Sequence, residues 1–294
     1  MINADQDPDV RIGEPRIADF CIIGAQKSGT STLWHALSQH PDIYMPEQKE
    51  LNFFFHDEEF AKGTAYYAGF FKDAAPSQIC GEASPGYICN PRVPLRIKRS
   101  LKSPKLILIL RDPVERAHSQ YWDNRRWLRE KVEFDELVKR PLHQVFQPGK
   151  SNYFSRGLYS VYLERYFALF DREQILVLWF DDLRRDPVSV FQRCAEFIGV
   201  NTTFSFDNLT QPVNFRSLFD NPLYRYFFNR PHLTAYLPYG TRRILRFGKQ
   251  TAYKPAPMRD ETRRKLRSYY APFDERLATL LGAPPPWINE ARSP

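Results

Sequence analysis

Three short stretches of the chain are apolar almost without interruption: "DFCII", "PKLILIL" and "QILVLWF". A strand that alternates in polarity has one wet face, whereas one that is apolar throughout must be covered on both. Each stretch is followed by a helical pattern. After the first comes a glycine turn and a helix expected over 31–39, with Leu33 and Leu37 on one face and Pro41 just beyond its end. After the second, Asp112 is placed to cap a helix and Pro113 to occupy its first position, and the helix continues through "VERAHSQYWDNRRWLRE". After the third, "DPVSVFQRCAEFIGV" reads as a helix ending near Gly199. Near the C-terminus the pattern is helix, a break at Pro272, and helix. Buried strands alternating with helices specify an α/β fold with a central parallel sheet flanked by helices on both faces. Ligands of such sheets bind beyond the carboxyl ends of the strands.

The turn after the first strand, "GAQKSGTST", is close to a phosphate loop. That pattern is Gly, four residues, Gly, Lys, then Ser or Thr. Gly24, Gly29 and Ser31 have the right spacing, but Thr30 stands where the lysine belongs and Lys27 lies three residues early. The fold expectation is therefore P-loop-like. The amides from Ser28 to Ser31 and the helix dipole make an anion cradle. A lysine inside the turn would lie over an anion nearer the strand end, which suits a shorter group than a triphosphate.

Composition narrows the partners. The 294 residues are 43% apolar and carry a net charge of +8, enough for a sizeable core and a bias toward anionic ligands. No DNA- or RNA-binding signature is present, and no nucleic-acid partner is expected. No run approaches the roughly 20 apolar residues of a membrane span, and the N-terminal segment lacks the pattern of a signal peptide. A cytoplasmic protein is expected on that basis. Cys21, Cys80, Cys89 and Cys194 are widely spaced, the six histidines form no HExxH, and no metal site is expected. Residues 1–18 read as a loose arm and 19–294 as a single domain. Within it, 214–248 breaks the helix–strand rhythm with aromatics and arginines and is a candidate lid or acceptor wall.

The segments "GAQKSGTSTLWHALSQHPDIYMPEQKELNFF", "GEASPGY", "LILILRDPVERAHSQY", "SRGLYSVYLERYFALF" and "ILVLWFDDLRRDP" resemble, in order and spacing, the sulfotransferases that use 3′-phosphoadenosine-5′-phosphosulfate. The style is that of the heparan-sulfate-type enzymes and their bacterial relatives. The resemblance implies an enzyme moving a sulfuryl group by in-line displacement to a hydroxyl of a carbohydrate or small-molecule alcohol, with the phosphosulfate as co-substrate and no metal required. It also implies roles. Lys27 would contact the bridging oxygen, and Ser28, Gly29, Thr30 and Ser31 would hold the 5′-phosphosulfate. Arg111 and Ser119 would bind the 3′-phosphate, and Glu50, in "KELNFF", would be the general base. Ordinary roles stand beside these: an ion pair for Arg111, a solvated helix serine for Ser119, an exposed partner of Lys49 for Glu50. Glu82 is the alternative carboxylate, in a supporting role; His56 and His118 fit surface or packing positions.

The chain departs from the animal heparan enzymes at three places. Asn52 stands where they tend to have histidine, and Ala83 where some have lysine. "GKQTAYKPAPM" replaces their Lys-Gly-Arg donor loop, with Lys249 and Lys254 as possible substitutes. Two other classes compete: a phosphate-loop nucleotide kinase or hydrolase, and a non-enzymatic polyanion-binding module with a degenerate donor site. Thr30 and the absence of a clear Mg²⁺-binding aspartate beyond "LWFDD" argue against the first.

Overall fold

The computed structural model describes residues 16–126, 129–142, 152–206, 217–219, 250–252 and 256–290. They fall into two compact units, Met1–Leu110 with Tyr162–Gln211, and Arg111–Val161 with Pro212–Pro294. In chain order the elements begin β1 (Phe20–Gly24), α1 (Thr30–Leu37), β2 (Ile43–Tyr44), α2 (Asp57–Phe60), α3 (Gly63–Ala68) and β3 (Ile79–Ala83). They continue with α4 (Val93–Ser100), β4 (Lys105–Leu110), α5 (Pro113–Arg126), α6 (Phe134–Lys139), α7 (Tyr159–Phe167), β5 (Ile175–Trp179), α8 (Phe180–Arg185) and α9 (Pro187–Ile198). Last come β6 (Ser217–Phe219), β7 (Gln250–Ala252), α10 (Asp260–Leu281) and α11 (Pro286–Glu290).

The first unit is built on a five-stranded sheet in the order β2-β3-β1-β4-β5. Every pairing in it is parallel, as the apolar runs require. All five residues of β1 are buried. On one face Phe20, Ile22, Ile107, Ile109 and Leu178 meet Leu33, Ala36 and Leu37 of α1 and Val190, Phe191, Cys194, Ala195 and Ile198 of α9. Each buried Val, Leu, Ile or Phe side chain among them contributes about 1.5–3 kcal/mol. On the other face the tight turn Tyr87–Cys89 packs against β1, and Tyr166 of α7 donates to the Tyr87 carbonyl at 3.0 Å. α9 begins and ends as read: Asp186 accepts the Ser189 amide, and Gly199 takes φ 89° beyond the last turn. α1 lies a residue or two from its expected bounds.

β2 and β3 were not legible in the sequence. β3 reads "ICGEA", with a glycine and a charge inside a buried strand. Gly81 is there because a Cβ would fall 2.1 Å from the Phe20 ring. The three residues of the expected N-terminal arm that are described are docked: the Arg16 guanidinium donates to the carbonyls of Ala75 and Gln78, and Ala18 is buried.

In the second unit the expected break at Pro272 does not occur, and α10 runs unbroken through it. Its buried residues Leu266, Tyr270, Asp274 and Leu277 form one stripe spanning the proline. Keeping that stripe in phase offsets the roughly 3 kcal/mol that an interior proline costs. β6 and β7 form an antiparallel pair, Ser217 opposite Ala252. Of the candidate lid, only β6 lies among the described residues; Lys249 and Lys254 lie outside them.

Candidate functional site

β1 lies at the centre of the sheet, where the chain turns toward β3 on one side and β4 on the other. A crevice opens at such a switch point beyond the carboxyl ends of the strands. The turn from Ala25 to Gly29 occupies it. Lys27 and Gly29 both have left-handed backbone, φ 70° and 95°. Gly29 is required twice over, by that φ and because a Cβ would come within 2.7 Å of Leu183 and 3.2 Å of Phe180 on α8. The Ser28 amide turns inward to the Ala25 carbonyl at 3.2 Å, which corrects the expectation that it faces outward. The amides of Gly29, Thr30 and Ser31 have no hydrogen-bond acceptor among the described residues, as expected of a helix start. The Ser28 hydroxyl is wholly buried and also lacks a partner among them. A buried polar atom without a partner marks a place where a ligand or solvent completes the structure. The Thr30 side chain, in the phosphate-loop lysine position, is buried at 4% exposure.

One strand over, the loop after β2 reaches the end of β3. The Glu50 amide donates to the Ala83 carbonyl at 3.1 Å, and Ala83 is the parallel partner of Ile22 in β1. Adjacent strands are about 4.8 Å apart, so the Glu50 backbone lies beside the mouth of the β1 turn. Its carboxylate is 45% exposed and 3.2 Å from Lys49 Nζ. Glu82, by contrast, is sealed in. Its Oε1 accepts the hydroxyls of Tyr67 and Tyr87, both at 2.9 Å, and its Oε2 accepts Ser84 at 2.7 Å. Burial pushes its carboxyl up from the usual range, opposed by the three hydroxyl donors.

The "RDP" segment opens the second unit. Asp112 caps α5 by accepting the Val114 amide at 2.9 Å, as read from the sequence. Arg267 of α10 grips both oxygens of Asp112. Burial raises the Asp112 carboxyl despite that arginine. Arg111 is 17% exposed in its side chain and lies 4.0 Å from Glu115, which Arg263 also engages. Ser119 is one turn beyond Glu115 on α5, partly exposed, with no hydrogen-bond partner among the described residues. Arg111, Glu115 and Ser119 thus follow one another at four-residue spacing. His118 accepts the Trp122 indole N–H at 2.8 Å and stacks edge-on to Phe134, a packing role. His56 occupies the position before α2.

Lys27, Ser28, Gly29, Thr30, Ser31 and Glu50 therefore belong to the first unit, and Arg111 and Ser119 to the second. Sequence reasoning missed the link from Glu82 through Ser84 and Tyr87 to the Glu50 loop, and the grip of Arg267 on Asp112. Neither partner is near in sequence. Among the described residues no group of three or more His, Cys, Asp or Glu could hold a metal ion, and no helix is long and apolar enough to cross a membrane.

A parallel sheet with a glycine turn and a helix start at its switch point, and no lysine at that helix start, defines a P-loop-like α/β protein that departs from the nucleotide hydrolases. The chain belongs to the sulfotransferase domain family, whose model matches residues 18–278. It is 29% identical over 293 residues to the mouse (Mus musculus) bifunctional heparan sulfate N-deacetylase/N-sulfotransferase 4, covering 92% of this chain and 31% of that protein. It is 32% identical over 192 residues to mouse heparan sulfate glucosamine 3-O-sulfotransferase 5, covering 64% of this chain and 55% of the relative. The chain thus spans about a third to a half of the length of these curated relatives. The crystal structure of a sulfotransferase from Alicyclobacillus acidocaldarius matches 91% of this chain and 97% of its own, with TM-score 0.69 and 29% identity.

Proposed function

We propose that the chain transfers the sulfuryl group of 3′-phosphoadenosine-5′-phosphosulfate to a hydroxyl of a carbohydrate or small-molecule alcohol. The observation that carries this reading is the β1 turn. It offers three amides without acceptors and a buried serine hydroxyl without a partner among the described residues, and a lysine inside the turn instead of on the helix. Those groups fit the anionic sulfated end of such a donor, which when bound supplies an activated sulfuryl group. Ser28, Gly29, Thr30 and Ser31 would hold its oxygens. Lys27 would neutralise charge on the leaving oxygen, which is where fixed positive charge accelerates transfer most. Arg111 and Ser119 are assigned the 3′-phosphate, because they match the family motif and stand two helical turns apart. Glu50 is assigned the acceptor proton. Its exposed carboxylate can reach a solvent-side hydroxyl, whereas Glu82 has every oxygen committed.

The family match runs through both compact units, which supports treating residues 19–294 as one catalytic domain. The names of the curated relatives support heparan-type glycans as the first acceptors to screen. All four cysteines are buried and none is in a disulfide bond, which supports a reducing compartment such as the cytoplasm. Calorimetry tests the donor site directly. Adenosine 3′,5′-bisphosphate should bind at least tenfold more tightly than adenosine 5′-phosphate, and ATP with Mg²⁺ should bind weakly. Preference for ATP with Mg²⁺ would return the chain to the kinase or hydrolase class.

A further inference from the structure

The loop from Glu50 to Phe54 is held in a backbone that its sequence does not favour. Glu50 has φ 62° and Asn52 φ 53°, left-handed values at two non-glycine residues on either side of Leu51. Such residues persist only where surrounding bonds over-determine them. Three bonds do so here. The Glu50 amide donates to the Ala83 carbonyl at 3.1 Å, the Asn52 amide to Ser84 Oγ at 3.0 Å, and the Phe54 amide to the Tyr87 hydroxyl at 3.2 Å. The last two acceptors are hydroxyls, free to rotate unless something fixes them. An amide can only donate, so each hydroxyl must offer it a lone pair and point its own proton elsewhere. Both protons point to one group: Ser84 donates to Glu82 Oε2 at 2.7 Å and Tyr87 to Glu82 Oε1 at 2.9 Å. Tyr67 adds a third donor to Glu82 at 2.9 Å and stacks on Phe53 of the same loop, ring centroids 4.6 Å apart. Glu82 is 1% exposed.

We propose that Glu82 is a positioning residue: its carboxylate orients the Ser84 and Tyr87 hydroxyls, and these pin the backbone of the loop that presents Glu50. The catalytic consequence rests on the reading of Glu50 as the base; the positioning itself does not. An ionised carboxylate only accepts, so it suits two hydroxyls that must both face inward. A glutamine at the same place would present one donor to them and leave the arrangement mismatched. Cys21, paired across the strands with Glu82, is the fully buried neighbour on β1.

The test is amide hydrogen exchange on the full chain, read at Asn52 and Phe54, for Ser84→Ala, Tyr87→Phe, Glu82→Gln and Glu50→Gln. Loss of one such bond raises exchange on the order of tenfold. Ser84→Ala should free Asn52 alone, Tyr87→Phe should free Phe54 alone, and Glu82→Gln should free both. Glu50→Gln should free neither, and the β4 amides should stay protected throughout. Turnover is read as bisphosphate released from the sulfuryl donor, with heparan sulfate as probe acceptor and water as background acceptor. In Ser84→Ala and Glu82→Gln, kcat should fall on the order of tenfold while donor KM and bisphosphate affinity stay unchanged. If Ser84→Ala and Tyr87→Phe fold and leave their amides as protected as in wild type, the positioning role is wrong. If the exchange pattern appears but Glu50→Gln turns over at the wild-type rate, the loop is positioned as proposed and the base is misassigned.

Discussion

Arg267 holds Asp112 with both arms of its guanidinium, Nη1 to Oδ1 at 3.0 Å and Nη2 to Oδ2 at 2.5 Å, while the same carboxylate caps α5. A segment assigned to the donor phosphate is thus tied to a helix some 150 residues further along the chain. Arg267→Met should leave that carboxylate buried and unpaired, at a cost of about 3 kcal/mol near neutral pH. Burial already raises the Asp112 carboxyl, and removing the arginine raises it further. The variant should therefore recover part of its loss as the pH is lowered and Asp112 takes up a proton. Urea unfolding at pH 5 and pH 8 measures the difference; an equal loss at both would show that the pair does not carry the stability assigned to it.

Asp274, on the same face of α10, is pushed up to about 7, first by burial and then by the charge of Asp112, against the pull of Trp287 and Arg267. A carboxyl raised in the folded state contributes stability that is complete below about pH 4 and is lost as pH rises through about 7. Asp274→Asn should therefore gain on wild type as pH climbs from 4 to 8, by up to about 4 kcal/mol. Parallel unfolding curves for the two proteins across that range would rule the titration out.

Lys27→Ala should fold and bind adenosine 3′,5′-bisphosphate, yet lose turnover by on the order of 10²-fold or more, since the leaving oxygen loses its positive partner. Gly29→Ala should behave differently. Its φ of 95° and the 2.7 Å approach to Leu183 make any side chain strained, so stability should fall by about 1–3 kcal/mol and donor binding with it. Thermal unfolding beside calorimetry separates the two variants.

Arg111→Ala should weaken adenosine 3′,5′-bisphosphate by on the order of 10–100-fold, the worth of a charge-assisted contact, and leave adenosine 5′-phosphate unchanged. Ser119→Ala should follow the same pattern on a smaller scale. Equal losses for both nucleotides would move these residues away from the 3′-phosphate.

Glu50→Gln should keep donor affinity and lose on the order of 10²–10⁴-fold in transfer, because an amide cannot take the acceptor proton. A wild-type rate would exclude Glu50 as the base.

The parts of the fold that the sequence displays are those whose signal is local. β1, β4 and β5 carry unbroken apolar runs, and α9 carries its own cap and stop in Asp186 and Gly199. β3 is hidden because its glycine answers to Phe20 and its glutamate to the hydroxyls of Tyr67, Ser84 and Tyr87, which converge on it only in the fold. The unbroken α10 is hidden for a related reason, since local chemistry says that Pro272 ends a helix and only the buried stripe overrules it. The β1 turn and the Asp112 cap in "RDP" are contiguous stretches and could be read, each in its own unit. The bonds from Glu82 toward Asn52 and Phe54 join residues about 30 apart and could not.

β2 ends one side of the sheet with two residues, Ile43 and Tyr44. The outermost strand of a sheet is where a second chain can add itself and start an aggregate, in proportion to the run of open backbone it finds. Here Pro41 and Pro46 stand close on either side and supply no amide, and the Gln78 side chain covers the carbonyls of Pro41 and Ile43 at 3.0 and 3.4 Å. A newcomer strand finds almost nothing to pair with. That flank of the molecule is built to stay unattached at the concentrations where longer open edges begin to stick.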